Sequence, residues 1–372
     1  MNVEQFRMER MQSTWENVVD YNLSESGVQP LSLRELVSDD ELQEILGLGL
    51  GYSQTNGTPE LRREIARLYP GANADQILVT AGSSEANFLL MWSLIEPGDE
   101  VVFMMPNYMQ MWGLARGFGA RIKPLWLRKN LGWAPDLEDL QELVTPKTKL
   151  IIVTNPNNPS GAVLSREAMA AIVASAVRVG AWIIADEVYQ GAEPEGRTTP
   201  SFWGMYDRVV IVNGLSKAYG LPGVRVGWIL GPGEFIRKTW PYHDYTTISP
   251  SILSDRLARI ALLSDNREKI LERTRGILRR NFPVIKDWLE GQKGFFDFVP
   301  PRAGAIVFAE YHGLVNSTEL VNRLIREKGV LIVPGDHFEM DHHLRFGFGS
   351  EPEYLRKGLA RIDELLAAIR RP

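Results

Sequence analysis

The sequence predicts an α/β protein whose large domain has a mostly parallel central sheet with helices on both faces, followed by a smaller α/β domain at the C-terminus. Two observations predict this fold class. Between residues 58 and 230, short runs that are apolar at nearly every position alternate with longer stretches of helical periodicity, a pattern typical of parallel strands buried on both faces. The 372 residues also exceed the roughly 250–300 at which one hydrophobic core stops growing, which indicates two domains.

Six apolar runs are assigned to strands of the large domain: QILVT, EVVFMM, KLIIVT, AWIIADE, RVVIVN and VGWIL. Helices are expected between them. The clearest, SREAMAAIVASAVRVG, begins with Ser165, a residue type that caps helix N-termini, and ends at Gly180, which suits a helix C-terminus. The alternation of strands and helices is what predicts the parallel sheet.

The rest of the chain predicts different structure. Residues 251–291 have helical periodicity and dense charge, which indicates one long helix or two that leave the sheet. Beyond them GFFDFVP, AIVFAEY, GVLIVPG and HLRFGFG are expected to be the strands of the small domain. The first 45 residues have no sheet pattern and are expected to pack on that domain or on a partner subunit. The predicted division is therefore 1–45, 46–260 and 261–372.

The composition excludes several classes of protein. With 44% hydrophobic and 23% charged residues the chain is not intrinsically disordered. Its 41 basic and 46 acidic side chains give a net charge of −5, without the basic excess that holds nucleic acid. The absence of cysteine removes disulfides, thiolate nucleophiles and cysteine-ligated metals. Without a signal-like N-terminus or a long apolar run, we expect a cytoplasmic protein that binds neither nucleic acid nor membrane.

Lys217 is the most informative candidate, in VVIVNGLSKAYGLPGVRVGW. It follows an apolar strand, and the C-terminal ends of parallel strands are where ligands bind. Position alone favours an ordinary solvated lysine. Arg225, in the same Gly-rich stretch, is a second cation that we expect to lower the pKa of Lys217 and that suits a phosphate. Both properties favour a lysine that forms a Schiff base.

Asp186 lies at the end of another apolar strand, in AWIIADEVYQ, with Tyr189 three residues later. A buried carboxylate needs a cationic partner, either a core arginine or a protonated heterocycle of a ligand. NPNNPSG follows a third strand. Its two Asn-Pro pairs are explained by a turn, but the Asn158 amide is also able to donate to a phenolic oxygen.

TAGSSEANF follows the strand run QILVT and leads into a predicted helix. The backbone N–H groups at Gly82, Ser83 and Ser84 would be free at the helix N-terminus and would form an anion site. Ser83 as an ordinary N-cap is the alternative.

Taken together, these segments resemble the pyridoxal-phosphate (PLP) dependent aminotransferases of class I/II, which have the PLP-transferase fold type I. The resemblance runs from about Tyr52 to Arg345. It is carried, in this order, by YSQTNGTPELRREIA, TAGSSEAN, PNY, NPNNPSG, ADEVY, SKAYGLPGVRVGW and RFGFG. Within the family, the combination of SESGV, GSSEA, NPSG, LSKAYGLPGVRVGW and DYTTISPS is similar to members that perform elimination and cyclisation on an arginine derivative.

The resemblance implies a PLP cofactor, a homodimer with shared active sites, and a role for each residue. Lys217 would hold PLP as a Schiff base and move the Cα proton, while Asp186 would pair with the pyridinium nitrogen. The remaining implied roles are hydrogen bonds to the phenolic oxygen from Tyr189 and Asn158, ring stacking by Tyr108, phosphate binding by Gly82, Ser83, Ser84, Arg225 and Tyr52 of the partner subunit, and substrate binding by Arg345, Asn158 and the segment around Gly27.

One position departs from the family pattern. The family usually has a serine or threonine three residues before the lysine, where this chain has Gly214, and Ser216 is offset by two residues. The phosphate would then depend more on backbone N–H groups and Arg225. No metal site is expected, because His342 and His343 lack a helical metal-ligand spacing.

Two reactions are compatible with these residues. The first is transfer of an amino group between an L-amino acid and a 2-oxo acid through Lys217. The alternative is a PLP-dependent lyase or cyclase acting on an arginine-type amino acid. Both small-molecule reactions use the same lysine and aspartate.

Overall fold

The computed structural model describes residues 3–292 and 294–369. Its strands are β1 (Tyr21–Asn22), β2 (Ile77–Thr80), β3 (Glu100–Met105), β4 (Arg121–Arg128), β5 (Ala134–Pro135), β6 (Thr148–Thr154), β7 (Trp182–Asp186), β8 (Val209–Gly214), β9 (Gly227–Leu230), β10 (Phe296–Phe298), β11 (Ile306–Tyr311), β12 (Val330–Leu331), β13 (Val333–Pro334) and β14 (His343–Gly347).

Its α-helices are α1 (Arg7–Trp15), α2 (Leu33–Leu36), α3 (Asp39–Leu46), α4 (Pro59–Ala66), α5 (Ser83–Leu94), α6 (Gln110–Gly117), α7 (Leu137–Leu143), α8 (Arg166–Val179), α9 (Gly233–His243), α10 (Ile252–Leu262), α11 (Ser264–Gly291), α12 (Ser317–Arg323) and α13 (Pro352–Ile369). No helix among the described residues is long and apolar enough to cross a membrane.

The large sheet has eight strands in the order β2-β9-β8-β7-β6-β3-β4-β5. Strands β4, β3, β6, β7 and β8 pair in parallel, whereas β9 and β5 are antiparallel to their neighbours. All side chains of β3 and β8 are buried, as expected for strands covered by helices on both faces. The predicted mostly parallel sheet is therefore confirmed.

The six predicted strand runs all form strands of this sheet, but β4 and β5 were not predicted. β4 contains Pro124 and begins and ends with exposed arginines, Arg121 and Arg128. It lies near the sheet edge, where partial exposure permits a sequence without a continuous apolar run.

The helix predicted from Ser165 to Gly180 is α8. The Ser165 hydroxyl accepts a hydrogen bond from Ala168 N at 3.1 Å, and Gly180 ends the helix with φ of +70°. Only a residue without a Cβ adopts this left-handed conformation at little cost. The helical segment after Pro250 forms two helices, α10 and α11.

A smaller antiparallel sheet follows, in the order β10-β11-β14-β13. The N-terminal segment shows no sheet pattern in the sequence, yet Tyr21–Asn22 pairs in parallel with Val330–Leu331. A pairing of two residues is too short to leave an alternating pattern in the sequence. The domain boundaries at 45/46 and 260/261 stay predictions.

The parallel strands position the site. Thr154, the last residue of β6, is in register with Asp186, the last residue of β7, and Asp186 is in register with Val212 of β8. The three carboxyl ends therefore lie at one edge of the sheet, where the loops that follow them converge.

Candidate active site

A cavity of about 340 Å³ lies at this edge of the large sheet. Most of the residues singled out in the sequence line it: Ser83, Ser84, Tyr108, Asn158, Asp186, Tyr189, Ser216, Lys217, Arg225 and Arg345. Gly27 lies beside the cavity, since a Cβ at this position would be 3.8 Å from Lys217 Cδ. Gly82 is not among the lining residues but directly precedes Ser83, whereas the side chain of Tyr52 is 89% exposed and does not line the cavity of its own chain.

Lys217 is held by an acidic residue that the sequence did not indicate. Lys217 Nζ donates a hydrogen bond to Glu25 Oε1 at 2.9 Å. Burial lowers the pKa of Lys217, but the Glu25 carboxylate and Tyr189 raise it, and the pKa is raised overall. The expectation that Arg225 lowers it is therefore wrong. The same ammonium lowers the pKa of Glu25 to about 2, although the Glu25 side chain is about half exposed to solvent in the cavity.

Asp186 is a buried carboxylate without a cation. It is 4% exposed, and Oδ1 accepts one hydrogen bond, from Val188 N at 3.1 Å. No lysine, arginine or histidine of the described residues forms an ion pair with Asp186. A core arginine among these residues is therefore excluded as its partner. Burial raises its pKa to about 6. A cation supplied by a ligand in the cavity would stabilise the ionised form.

The N-terminus of α5 forms a cradle for an anion. Its N-cap is Gly82, at φ of +86°, and no side chain caps it, so Ser83 is not the N-cap. A Cβ at Gly82 would lie 2.6 Å from Arg225 Nη2, and one at Gly227 would overlap Ser83 N. The two glycines thus let Arg225 and β9 approach the first turn, where the N–H groups of Ser83 and Ser84 precede the first hydrogen bond of the helix, from Glu85 N to the Gly82 carbonyl.

Arg345 faces the opposite side of the cavity. It is 1% exposed, Nη1 donates to Asn158 Oδ1 at 2.9 Å, and Nη2 donates to the Ser24 carbonyl at 2.6 Å. Because Asn158 accepts through its oxygen, its amide nitrogen remains as a donor. Hydrogen bonds also fix the hydroxyls of Tyr189 and Tyr108. Tyr189 donates to Ser26 Oγ at 2.8 Å, and Tyr108 donates to Glu9 Oε1.

Gly214 departs from the family pattern for a steric reason. A Cβ there would lie 3.0 Å from the carbonyl oxygen of Val226 and 3.2 Å from Gly227 Cα. A serine or threonine at 214 would therefore press on β9 where that strand approaches α5. Ser216 lines the cavity instead.

The acidic residues of the site that were missed in the sequence come from the N-terminal segment, together with Gln12. Glu9, Gln12 and Glu16 lie on or directly after α1, and Glu25 follows β1; all four line the cavity. Tyr108 donates its hydroxyl to Glu9 Oε1 at 2.9 Å. The one available signal was helical periodicity, since positions 8, 12 and 16 share a helix face.

The chain is similar in sequence to known proteins over most of its length. The family model described as aminotransferase class I and II matches residues 25–362. The chain is 34% identical to capreomycidine synthase from Streptomyces vinaceus over 358 residues, 93% of this chain and 89% of that protein. It is 28% identical to aspartate/prephenate aminotransferase from Thermus thermophilus, over 85% of this chain and 83% of that protein.

Solved structures are similar over almost the whole chain. A PLP-dependent aminotransferase from Streptococcus suis superposes with a TM-score of 0.93 at 34% identity, covering 100% of both chains. The PLP-dependent cyclase OrfR gives a TM-score of 0.89 at 27% identity, covering 99% of this chain and 98% of that one.

Glu187, directly after Asp186, is a second buried carboxyl group. Oε1 accepts hydrogen bonds from Ser201 Oγ at 3.0 Å and Phe202 N at 2.9 Å, and Oε2 is buried without a partner among the described residues. Burial raises the pKa of Glu187 to about 8. The group is therefore protonated at neutral pH.

This protonation predicts a pH-dependent stability. Glu187 binds a proton in the folded state up to about pH 8, whereas in the unfolded chain it ionises near its ordinary pKa of about 4.3. The contribution of Glu187 to the free energy of unfolding is thus lost as the pH rises from about 4.3 to about 8, by on the order of 1 kcal/mol per pH unit. The glutamine of Glu187→Gln cannot ionise, so the variant does not lose this stability. Its free energy of unfolding minus that of wild type should therefore be larger at pH 8 than at pH 5. Denaturation curves of both proteins check this; parallel pH profiles would contradict it.

Proposed function

The chain belongs to the family of class I and II aminotransferases, its cofactor is PLP, and from this premise we propose that it transfers an amino group between an L-amino acid and a 2-oxo acid. One observation carries the proposal. The Lys217 amine, the unpaired Asp186 carboxylate and the anion cradle of α5 all belong to one cavity of about 340 Å³.

These residues fit the cofactor group by group. The Asp186 carboxylate, buried without a cation, suits a protonated ring nitrogen. The cradle at Gly82, which a Cβ would fill, suits a phosphate together with Arg225, whose guanidinium meets no carboxylate among the described residues. Lys217 supplies the amine that would hold an aldehyde covalently.

Three side chains would orient the cofactor ring, and two backbone N–H groups would bind its phosphate. Asn158 would donate to the phenolic oxygen through its amide nitrogen, and Tyr189 would do so by turning its one hydroxyl proton away from Ser26 Oγ, which can donate to the Tyr189 oxygen in return. Tyr108 would cover one face of the ring, and its hydroxyl is already fixed by Glu9. Ser83 and Ser84 would direct their N–H groups at the phosphate. When bound, PLP supplies an electron sink that stabilises the substrate after loss of its Cα proton.

Substrate binding and proton transfer are assigned to the chain's own residues. Arg345 presents its guanidinium to the α-carboxylate of the substrate, held in position by Asn158 and by the Ser24 carbonyl. Lys217 Nζ takes the Cα proton and returns it, and it must leave Glu25 to do so, since the ion pair keeps it protonated. Gly27, beside the Lys217 side chain, leaves room for this movement.

A homodimer with shared active sites is part of the proposal. The segment before α4 carries three large exposed side chains, Leu46 at 71%, Leu50 at 77% and Tyr52 at 89%. Exposed apolar groups close together are typical of a protein interface. Tyr52 would then complete the phosphate site of the partner subunit.

A second function is a PLP-dependent lyase or cyclase on an arginine-type amino acid. Two comparisons favour it: the 34% identity to capreomycidine synthase and the similarity to the cyclase OrfR. Lys217 and Asp186 would serve both reactions, because they differ only after the Cα proton has been removed.

Isotope transfer distinguishes the two functions. The holoenzyme is incubated with a ¹⁵N-labelled L-amino acid and pyruvate, and the products are identified by mass spectrometry. Aminotransfer predicts ¹⁵N-alanine. Release of a β-substituent or a cyclised product, without labelled alanine, would contradict aminotransfer and favour the second function.

Cofactor retention tests the phosphate site. Arg225→Ala removes the guanidinium beside Gly82 at the cradle, so the variant should lose PLP on gel filtration more readily than Tyr108→Phe, which keeps the aromatic ring. Absorbance of the eluted protein measures the bound PLP. Equal retention by the two variants would count against Arg225 as the phosphate ligand.

A further inference from the structure

The cavity carries an excess of negative charge. Its lining includes the carboxylates of Glu9, Glu16, Glu25 and Asp186 and the cations of Lys217, Arg225 and Arg345. In the proposed function, Asp186 pairs with the ring nitrogen, Arg225 with the phosphate and Arg345 with the substrate carboxylate. Lys217 carries the cofactor, and Glu9 accepts the Tyr108 hydroxyl. Glu16 and Glu25 then have no cation.

Glu25 already binds an alkylammonium group. Its Oε1 accepts from Gly27 N at 2.7 Å and from Lys217 Nζ at 2.9 Å. No other cationic side chain of the described residues forms an ion pair with Glu25. A lysine amine that is bonded to the cofactor can no longer neutralise this carboxylate. The Glu25 carboxylate therefore binds a cation when Lys217 is free, and it becomes available to a cationic group of a ligand when Lys217 is bonded to the cofactor.

Glu16 provides a second acceptor at the same place. It directly follows α1, and no hydrogen bond or ion pair joins its side chain to any residue the structure describes. Burial, then repulsion from Glu25 and Glu9, raises the pKa of Glu16. Carboxylates that repel each other across a cavity attract a cation between them.

Gln12 is an independent sign of a ligand. It is 8% exposed and lines the cavity on the α1 face that also leads to Glu16. Its Nε2 donates to Ser24 Oγ at 3.0 Å and more weakly to the Ser24 carbonyl at 3.3 Å, whereas within the described chain nothing donates to Oε1. This oxygen is therefore a free acceptor at the cavity wall, available to a donor group of a ligand.

We propose that Glu16, Glu25 and Gln12 form the side-chain subsite of the active site and select an amino acid whose side chain ends in a cation. A guanidinium has five N–H donors and an ammonium three, enough for these acceptors. A neutral side chain would leave both carboxylates unpaired, and an acidic one would be repelled. The inference rests on the proposed function, because it assumes that Lys217 carries PLP. It applies equally to aminotransfer and to cyclisation.

L-Arginine and L-citrulline test the proposal, because they have nearly the same shape and differ in charge. The wild-type holoenzyme is titrated with each, and the change in cofactor absorbance gives the apparent dissociation constant. Arginine should bind at least about tenfold more tightly, the effect of one charge-assisted hydrogen bond. Glu16→Gln and Glu25→Gln should each reduce this preference severalfold, and the double variant should abolish it.

Two controls separate the loss of the subsite from other causes of a reduced preference for arginine. Glu142→Gln removes an exposed acid of α7 that does not line the cavity, and this variant should keep the preference for arginine. A preference that is kept excludes an effect of the protein's net charge. Glu16→Gln leaves Glu25 as the hydrogen-bond partner of Lys217, so its effect does not come from the loss of that hydrogen bond.

A wild-type preference below twofold, or one that survives in the double variant, would overturn the proposal. If alanine and aspartate change the absorbance as readily as arginine, the subsite is wrong while the proposed function stands. If no amino acid changes it, the proposed function fails and the inference with it.

Discussion

Three neighbouring parallel strands, β6, β7 and β8, end at one edge of the large sheet, and the site depends on this constraint. The strands are buried and paired in register, so the residues that follow them have fixed positions relative to one another. Asn158, Asp186 and Lys217 are distant in sequence and meet because parallel strands all point the same way. Asp186 is buried there, and none of the described residues forms an ion pair with it, a cost that a ligand with a positive ring nitrogen would offset.

The N-terminal segment closes the cavity from the other side, and backbone packing fixes it. It pairs with β12, and a side chain at Gly347 of β14 would overlap the Glu25 carbonyl. Arg345, also on β14, donates to the Ser24 carbonyl of the same segment. In the proposed function, the reaction chemistry comes from residues at the sheet edge, and the groups available to the substrate side chain come from the N-terminal segment.

The sequence predicted the parts of the site that follow buried strands, because an apolar run marks a strand and the polar residue after it marks the edge. Lys217 and Asp186 were found this way. Glu25 and Glu16 were not, since their segment reaches the cavity by packing against residues about 320 positions later, and nothing local records that contact. For the same reason the pKa of Lys217 was predicted in the wrong direction: Arg225 is near in sequence, but Glu25 is near in space. β4 was missed because its position near the sheet edge permits exposed charged residues.

The central claim is that Lys217 holds PLP in this cavity. Reduction of the holoprotein with borohydride, followed by proteolysis and mass spectrometry, measures it directly. We expect the cofactor mass on the peptide that contains Lys217, and none in a Lys217→Ala variant. A cofactor adduct on another lysine, or on none, would contradict the account.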